Sequence, residues 1–404
     1  MGALAEAGKI SGYTLAATNG YEGKLIQVIV KRILTEVNKT SLFVAKHPVG
    51  LDCRLADLME VLDVESQDLA RIVGIHSMGG MGKTTLAKAV YNQISSRFDA
   101  CSFISNIREV ANQALGLISL QKQLLYDVFK DENVKISSIS DGIGKIIERI
   151  RGKKVLLVLD DIDNKSQLDA LAGDLDWFCS GSRIIITTRY KHVLKAPRLK
   201  HNEDYELKQL DSTQSLQLFS WHAFGKEVPD AKFAKLSKEV ASAAAGLPLA
   251  LEIFGSHFFN LKTDKEWQSM LQKLKDAQDK GLHETLKISY DALDTDEKKV
   301  FLDIACFFVG QQRELPTLMW EGCGFFPDIT IKVLMHESLV SINDDTGEFE
   351  MHDHIRDMGR NIVQAERKVG KCSRLWKDDE TLDVLQNKGV RVYLFNYYYQ
   401  LNLI

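Results

Sequence analysis

The sequence lacks any cysteine pairing pattern. Cys53, Cys101, Cys179, Cys306, Cys323 and Cys372 are scattered, with no Cys-x-x-Cys and no zinc-type spacing. That argues against a disulfide framework and against structural zinc, and it suits free thiols in a reducing compartment. No apolar run approaches the roughly 18 residues a membrane span needs, and the densest stretch, Phe301 to Val309, is broken by Asp303. No basic segment leads into an apolar core near the start, so no signal peptide is readable, and Glu6 breaks the myristoylation pattern. Charge of one sign is also missing. The net charge is −4, the pI is near 6.2, and no Lys/Arg block is long enough to act as a basic arm. No general attraction to nucleic acid or to an anionic membrane follows, and neither is expected as a partner. A cytoplasmic location is the expectation.

What is present is a chain of 404 residues with 45% hydrophobic content, enough for two to four domains with sizeable cores. Its most informative stretch is Arg71-Ile-Val-Gly-Ile-His-Ser-Met-Gly-Gly-Met-Gly-Lys-Thr-Thr-Leu86, an apolar strand entering a glycine-rich loop and then a helix. A helix starting near Lys83 points backbone N–H groups at an anion, and Gly79, Gly80 and Gly82 let the main chain approach polyphosphate. Lys83 would neutralise the outer phosphates and Thr84 would reach Mg²⁺. The strict pattern G-x-x-x-x-G-K-[ST] has glycine where this chain has Ser77. If that position required φ > 0, serine would cost about 1–2 kcal/mol. A glycine-rich turn without nucleotide is the competing reading.

From about 69 to 212, apolar β-branched runs alternate with helical segments: Arg71 to His76, Ala100 to Ile107, Lys153 to Asp160, Ser182 to Thr188 and Tyr205 to Leu210. Such alternation predicts a parallel sheet with helices on both faces, ligands sitting at the carboxyl ends of the strands. The chain then reads as helical until Leu339–Asn343 and Glu348–Met351, two short alternating runs joined by a turn, a hairpin after helices as in a winged-helix domain. Before the sheet, Leu25, Ile26, Ile29, Ile33 and Val37 recur at helical spacing between Glu22 and Val37.

Two further strands carry chemistry at their ends. Lys153-Lys-Val-Leu-Leu-Val-Leu-Asp-Asp161 has the form of a Walker B element, in which Asp160 would hold Mg²⁺ and Asp161 would orient or activate an attacking water. The bland alternative is a pair of acids capping a turn. Gly181-Ser-Arg-Ile-Ile-Ile-Thr-Thr-Arg189 ends instead in a cation, which can meet a γ-phosphate through charge-assisted hydrogen bonds. Alone, such an arginine is a solvated loop residue. Its weight comes from the order of the three elements.

Gly246-Leu-Pro-Leu-Ala-Leu251 and Met351-His-Asp353 follow in the same order as in NB-ARC domains of plant immune receptors, and the chain resembles that family over roughly 46 to 385. Phe98-Asp-Ala-Cys-Ser-Phe-Ile-Ser-Asn-Ile-Arg108, Asp163 and Phe301-Leu-Asp-Ile-Ala-Cys-Phe-Phe308 are similar to the TIR-type subclass of NBS-LRR disease-resistance proteins. The resemblance implies an α/β P-loop NTPase domain at 46–212, an all-α helical domain at 213–292 and a winged-helix domain at 293–385. It makes 1–45 the end of a TIR domain with its connector, and leaves 386–404 unassigned. Carried residue by residue, it places Val49 and Gly50 on the adenine side and Gly80, Met81, Gly82, Lys83, Thr84 and Thr85 in the phosphate loop. Thr84 and Asp160 serve Mg²⁺, Arg189 is the sensor, Pro248 closes over adenine, and His352 reaches the ADP β-phosphate. ADP or ATP, with Mg²⁺ accompanying ATP, is the implied cofactor. ADP holds the domains closed, ATP opens them, and slow hydrolysis resets the switch.

At most a weak ATPase is expected, with no NADase site, because only the tail of a TIR domain would be present. No leucine-rich period of 20 to 29 residues follows 385. The expected partners are adenine nucleotide and a full-length receptor or the chain's own missing TIR and repeat domains. The expected location is the cytoplasm, with the nucleus as a second. Three other readings stand beside the switch. An inert or nucleotide-locked fragment is the first, since Ser77 lies next to the phosphates. A metabolic P-loop phosphotransferase lacks a recognisable acceptor-binding motif. Duplex binding by the winged helix lacks a basic face over His352 to Arg367. A metal pair of His352 and His354 is disfavoured because i and i+2 diverge on a helix. The aromatic end Val390–Ile404 reads either as unrelated sequence or as a buried terminal strand.

Overall fold

A computed structural model describes residues 21–22, 41–66, 69–130, 134–194, 202–278, 282–343, 346–368 and 374. The expected helix over Glu22 to Val37, apart from Glu22, and the 386–404 tail lie outside these residues. The chain divides into two units, one of 1–77 with 83–206, the other of 78–82 with 207–404.

In the first unit α1 (Leu51–Leu62) precedes a sheet of β1 (Arg71–His76), β2 (Ala100–Ile104), β3 (Val155–Ile162), β4 (Arg183–Thr188) and β5 (Asn202–Glu206). Between them run α2 (Lys83–Ile94), α3 (Ile107–Ala111), α4 (Gly116–Phe129), α5 (Ile139–Ile150) and α6 (Lys165–Ala172). The strand order is β2-β3-β4-β1-β5 and every pairing is parallel. All residues of β3 and β4 are buried. Successive side chains of a strand point to opposite faces, so burial of both parities means both faces are covered, which is why these runs are uninterrupted Val, Ile and Leu rather than alternating. Leu157, Leu159, Ile184 and Ile186 share one core with Leu120 and Leu124 of α4, Ile146 of α5 and Leu168 of α6.

Two sequence expectations shift here. The last strand is Asn202–Glu206, earlier than the Tyr205–Leu210 run, because the backbone that pairs alongside Ile72–His76 starts at Asn202. Leu207 and Leu210 belong to the other unit, where the Leu210 N–H donates to the Gly246 carbonyl at 2.9 Å. Strand β2 stops at Ile104, since Asn106 turns left-handed (φ 53) and opens α3.

One buried cation closes the lower edge of this unit. Arg183 is fully buried, and its guanidinium donates to the carbonyls of Leu62, Asp63, Ser66, Leu69 and Ser182, tying the segment after α1 to β4. Burial, and secondarily the Arg71 charge, lowers its pKa.

The second unit contains α7 (Ser212–Phe224), α8 (Ala234–Ala243), α9 (Pro248–Phe259), α10 (Asp264–Gln278) and α11 (Leu282–Ala292). Its helices close on an aromatic cluster in which Trp267 stacks on Phe233 at 4.4 Å and meets Phe258 edge-on at 4.6 Å. Then come α12 (Thr295–Asp303), a π-helical turn (Ile304–Phe308), α13 (Glu314–Gly322), α14 (Pro327–His336), an antiparallel pair β6 (Ser341–Ile342) and β7 (Phe349–Glu350), and α15 (Asp353–Lys368). The expected hairpin after helices is therefore present. A polar seam joins α9 to the end of α14: Glu337 accepts from Asn260 at 3.0 Å and meets His257 at 2.9 Å, while Ser256 and Ser338 hydroxyls lie 2.7 Å apart.

Candidate functional site

The carboxyl ends of three strands coincide. In the sheet register His76 of β1 lies opposite Thr188 of β4, and Thr188 lies opposite Ile162 of β3. The P-loop, the two acids and Arg189 therefore leave the sheet along one edge, the place where open α/β sheets bind ligands.

Strand β3 does not end regularly. Its register shifts between Leu159 and Ile162, and Asp161 adopts φ 58. A bulge of this kind re-aims side chains, and a left-handed non-glycine residue costs about 1–2 kcal/mol that the surroundings must supply. Here Thr187 of β4 supplies part of it. Its hydroxyl accepts the Asp161 N–H at 2.9 Å and donates to Asp160 Oδ1 at 2.6 Å. Thr84 Oγ1, in the first turn of α2, donates to the same Asp160 oxygen at 2.8 Å. Asp160 is thus buried at 2% exposure with two hydroxyls on Oδ1, and the pair expected to serve Mg²⁺ is already in hydrogen-bond contact.

Asp161 takes charged partners. Arg108 Nε donates to its Oδ2 at 2.9 Å, and Arg189 Nε stands 3.6 Å from its Oδ1. Lys83, 8% exposed at the start of α2, donates from Nζ to the Ser77 carbonyl at 2.9 Å. Ser77 itself is not in the left-handed region; the positive φ values of the loop fall on Gly80 (75°) and Gly82 (88°). The cost foreseen for serine in place of glycine does not arise, because the position does not need φ > 0.

The loop residues 78–82 group with the second unit. Leu249 N–H donates to the Gly80 carbonyl at 3.2 Å, and a Cβ on Gly80 would stand 3.0 Å from Leu249 Cβ. A Cβ on Gly79 would fall 1.7 Å from His354 Nε2. A side chain at Gly79 would have to displace the His354 imidazole, and one at Gly80 would meet both a positive φ and a close Leu249, reasons that the sequence pattern did not contain. Pro248 occupies the first turn of α9, where a missing N–H costs nothing. His352 is exposed, and its Nδ1 accepts the His354 N–H at 3.2 Å, with the two rings nearly parallel at 5.9 Å. The imidazole packed on Gly79 is that of His354. Val49 and Gly50 lie in the first unit at the start of α1, where Gly50 is left-handed (φ 66), and Met81 is buried while Thr85 is half-buried.

The structure therefore gathers Lys83, Thr84, Asp160, Asp161 and Arg189 within the first unit, and Gly80, Met81, Gly82, Pro248 and His352 within the second. Sequence reasoning missed three contributors: Thr187, Arg108 and His354. Arg108 had a readable signal, because it follows apolar β2 much as Arg189 follows β4. Among the described residues no helix is long and apolar enough to cross a membrane, and no group of three or more His, Cys, Asp or Glu could hold a metal. The Thr84–Asp160 pair, a hydroxyl and a buried carboxylate in contact, fits Mg²⁺, for which a phosphate would supply further oxygens.

Residues 53–229 match the NB-ARC domain model, and residues 294–367 match that of the disease resistance protein Roq1-like winged-helix domain. The chain is similar to TMV resistance protein N of Nicotiana glutinosa, 41% identical over 90% of this chain and 31% of that protein. It is likewise similar to disease resistance protein RUN1 of Vitis rotundifolia, 38% identical over 93% of this chain and 28% of that protein. It thus spans less than a third of the length of these relatives. Among solved structures, a signal-transduction ATPase with numerous domains from Pyrococcus horikoshii aligns at a TM-score of 0.47 and 16% identity, over 81% of this chain and 44% of that one.

Proposed function

Because the chain belongs to the NB-ARC disease-resistance family of plants, we propose that it is an ADP/ATP-binding switch module with slow Mg²⁺-dependent ATP hydrolysis. The observation that carries this reading is the Thr84–Asp160–Thr187 arrangement at the strand edge, next to a lysine held at the mouth of the loop. Lys83 neutralises phosphate charge, the loop amides donate to phosphate oxygens, and Thr84 with Asp160 holds Mg²⁺. Mg²⁺ would offset charge on the β- and γ-phosphates. Arg189 distinguishes a triphosphate from a diphosphate because only the former offers it a γ-phosphate. Contacts that differ between the two nucleotides are what let a ligand shift a conformational equilibrium.

A nucleotide-locked module is the second reading, and one observation favours it. Both Asp161 oxygens face arginines, Arg108 and Arg189, so this carboxylate is engaged rather than poised over water. Retention of nucleotide is then favoured over turnover. Titration calorimetry with ADP and with ATPγS tests the proposal, with Lys83→Ala as the control. Micromolar or tighter binding of both by the parent chain, lost by about tenfold or more in the variant, is the expected result. Equal nucleotide affinity with and without the Lys83 ammonium would overturn it. Signalling and partner choice of a whole receptor are proposed to require segments other than these 404 residues, a TIR domain and leucine-rich repeats.

A further inference from the structure

We propose that the flank of α2 carrying Asn92 is a docking site for the extended segment 41–45, and that nucleotide at the other end of the same helix strengthens the docking. The coupling to nucleotide rests on the reading of the site given above; the docking itself does not.

Asn92 treats Leu42 as a neighbouring strand would. Its Oδ1 accepts the Leu42 N–H at 2.8 Å and its Nδ2 donates to the Leu42 carbonyl at 2.7 Å. One side chain thus takes both main-chain groups of one residue, as a hydrogen-bonded antiparallel partner does. A carboxamide suits this task because it offers a donor and an acceptor side by side, whereas a carboxylate only accepts. Leu42 and Val44 are half-buried while Phe43 between them is 74% exposed, the alternation of an extended run laid on a surface. Residues 41–45 lie in no helix or strand, so the Leu42 backbone takes from Asn92 the pairing that a sheet would otherwise provide.

Asn92 stands in the last turn of α2, and Lys83 and Thr84 stand in its first. At 1.5 Å per residue the two ends are roughly 12 Å apart along the axis. Leu86, Ala87, Val90 and Ile94 bury one face of this helix along its whole length, so it is held as a rod. Phosphate and Mg²⁺ at the first turn add contacts that restrain the rod. The clasp at the last turn depends on that restraint, because a shift of about 1 Å takes both of its bonds beyond hydrogen-bond length. A ligand that restrains the helix and a contact that needs it restrained favour each other, and the coupling is reciprocal. Nucleotide therefore keeps the segment docked, and its loss releases the apolar run Leu42, Phe43 and Val44.

Chymotrypsin reads the release, since cleavage after Phe43 needs the main chain lifted from α2. The purified chain is digested with and without saturating ADP and Mg²⁺, the cut bond is identified by mass, and ADP affinity is measured by calorimetry. In the parent, ADP is expected to slow cleavage after Phe43 by about fivefold or more. Asn92→Ala should be cut about tenfold faster or more, at a rate that ADP does not change. It should also bind ADP more weakly, by the factor through which ADP slowed cleavage in the parent, as reciprocity demands. Leu42→Pro removes the N–H from the clasp and leaves α2 untouched, so it gives the same two changes in smaller measure and carries the comparison if Asn92→Ala does not fold. A merely structural staple would speed cleavage in the variants without altering ADP affinity. That result, a cleavage rate in the parent that ignores ADP, or parent-like cleavage in both variants overturns the proposal alone. A parent chain that binds no ADP overturns the reading of the site together with the coupling.

Discussion

Replacing Asp160 by asparagine separates the charge of this group from its shape. Asp160 is 2% exposed, and its Oδ1 accepts from Thr84 at 2.8 Å and from Thr187 at 2.6 Å. An asparagine carbonyl oxygen in the same place keeps both bonds as neutral ones, a loss of roughly 1 kcal/mol each. Against this, the several kcal/mol spent on desolvating a buried carboxylate are relieved. Folding stability should therefore change by no more than about 2 kcal/mol in either direction. The effect on Mg²⁺ is different in kind. A unit-charge pair about 4 Å apart is on the order of 4 kcal/mol at an effective dielectric of 20, and a third of that is already tenfold in affinity. Calorimetry with ATPγS in Mg²⁺ and again in EDTA, alongside a thermal melt, reads both effects. We expect the Mg²⁺-dependent gain in affinity to fall at least tenfold while the EDTA value and the melt stay near the parent's. A full Mg²⁺ dependence in the asparagine variant would refute the assignment of Asp160, and a collapsed fold would refute the energy comparison.

Other expectations follow from the same geometry. Arg183→Met should destabilise the first unit by on the order of 5 kcal/mol, since charged donors are withdrawn from five backbone carbonyls at about 1.5–3 kcal/mol each, tempered where backbone N–H groups also reach them; a denaturant midpoint equal to the parent's would contradict this. Gly80→Ala meets both a φ of 75° and a Leu249 Cβ at 3.0 Å, so it should cost about 1–2 kcal/mol from backbone strain alone, read as a lowered melting temperature. Burial pushes the Cys306 thiol up to about 12, so at pH 8 only about one molecule in 10⁴ carries its thiolate. Iodoacetamide should therefore label exposed Cys53 and Cys323 in the folded chain and spare Cys306, with labelling of Cys306 appearing only as pH approaches its raised value or on unfolding; rapid modification of Cys306 at pH 8 would show that the site is open.

What was legible in the sequence was local. The Arg71–His76 run is a strand with those bounds, and the acidic and basic ends of β3 and β4 meet at one edge because parallel strands leave a sheet in the same direction. The hairpin near the end was legible from its alternation. Long-range pairing was not. Arg108 and Asp161 are 53 residues apart, and no periodicity announces a contact formed across two strand ends. The packing of His354 on Gly79 is likewise invisible to spacing, as the motif drew attention to its neighbour His352. Strand β5 was misplaced because Leu207 and Leu210 are apolar for another unit's sake. Ser77 looked costly because a motif records which residue is customary, whereas backbone angles decide which residue is required.

The central claim is that this chain holds an adenine nucleotide at the edge formed by Lys83, Thr84 and Asp160. It is tested most directly by denaturing the purified protein and separating what is released by chromatography, then repeating the measurement after incubation with ADP and Mg²⁺. The account predicts close to one adenine nucleotide per chain, ADP in the main, and its absence from Lys83→Ala. A folded parent chain that releases none, and retains none after incubation, would contradict it.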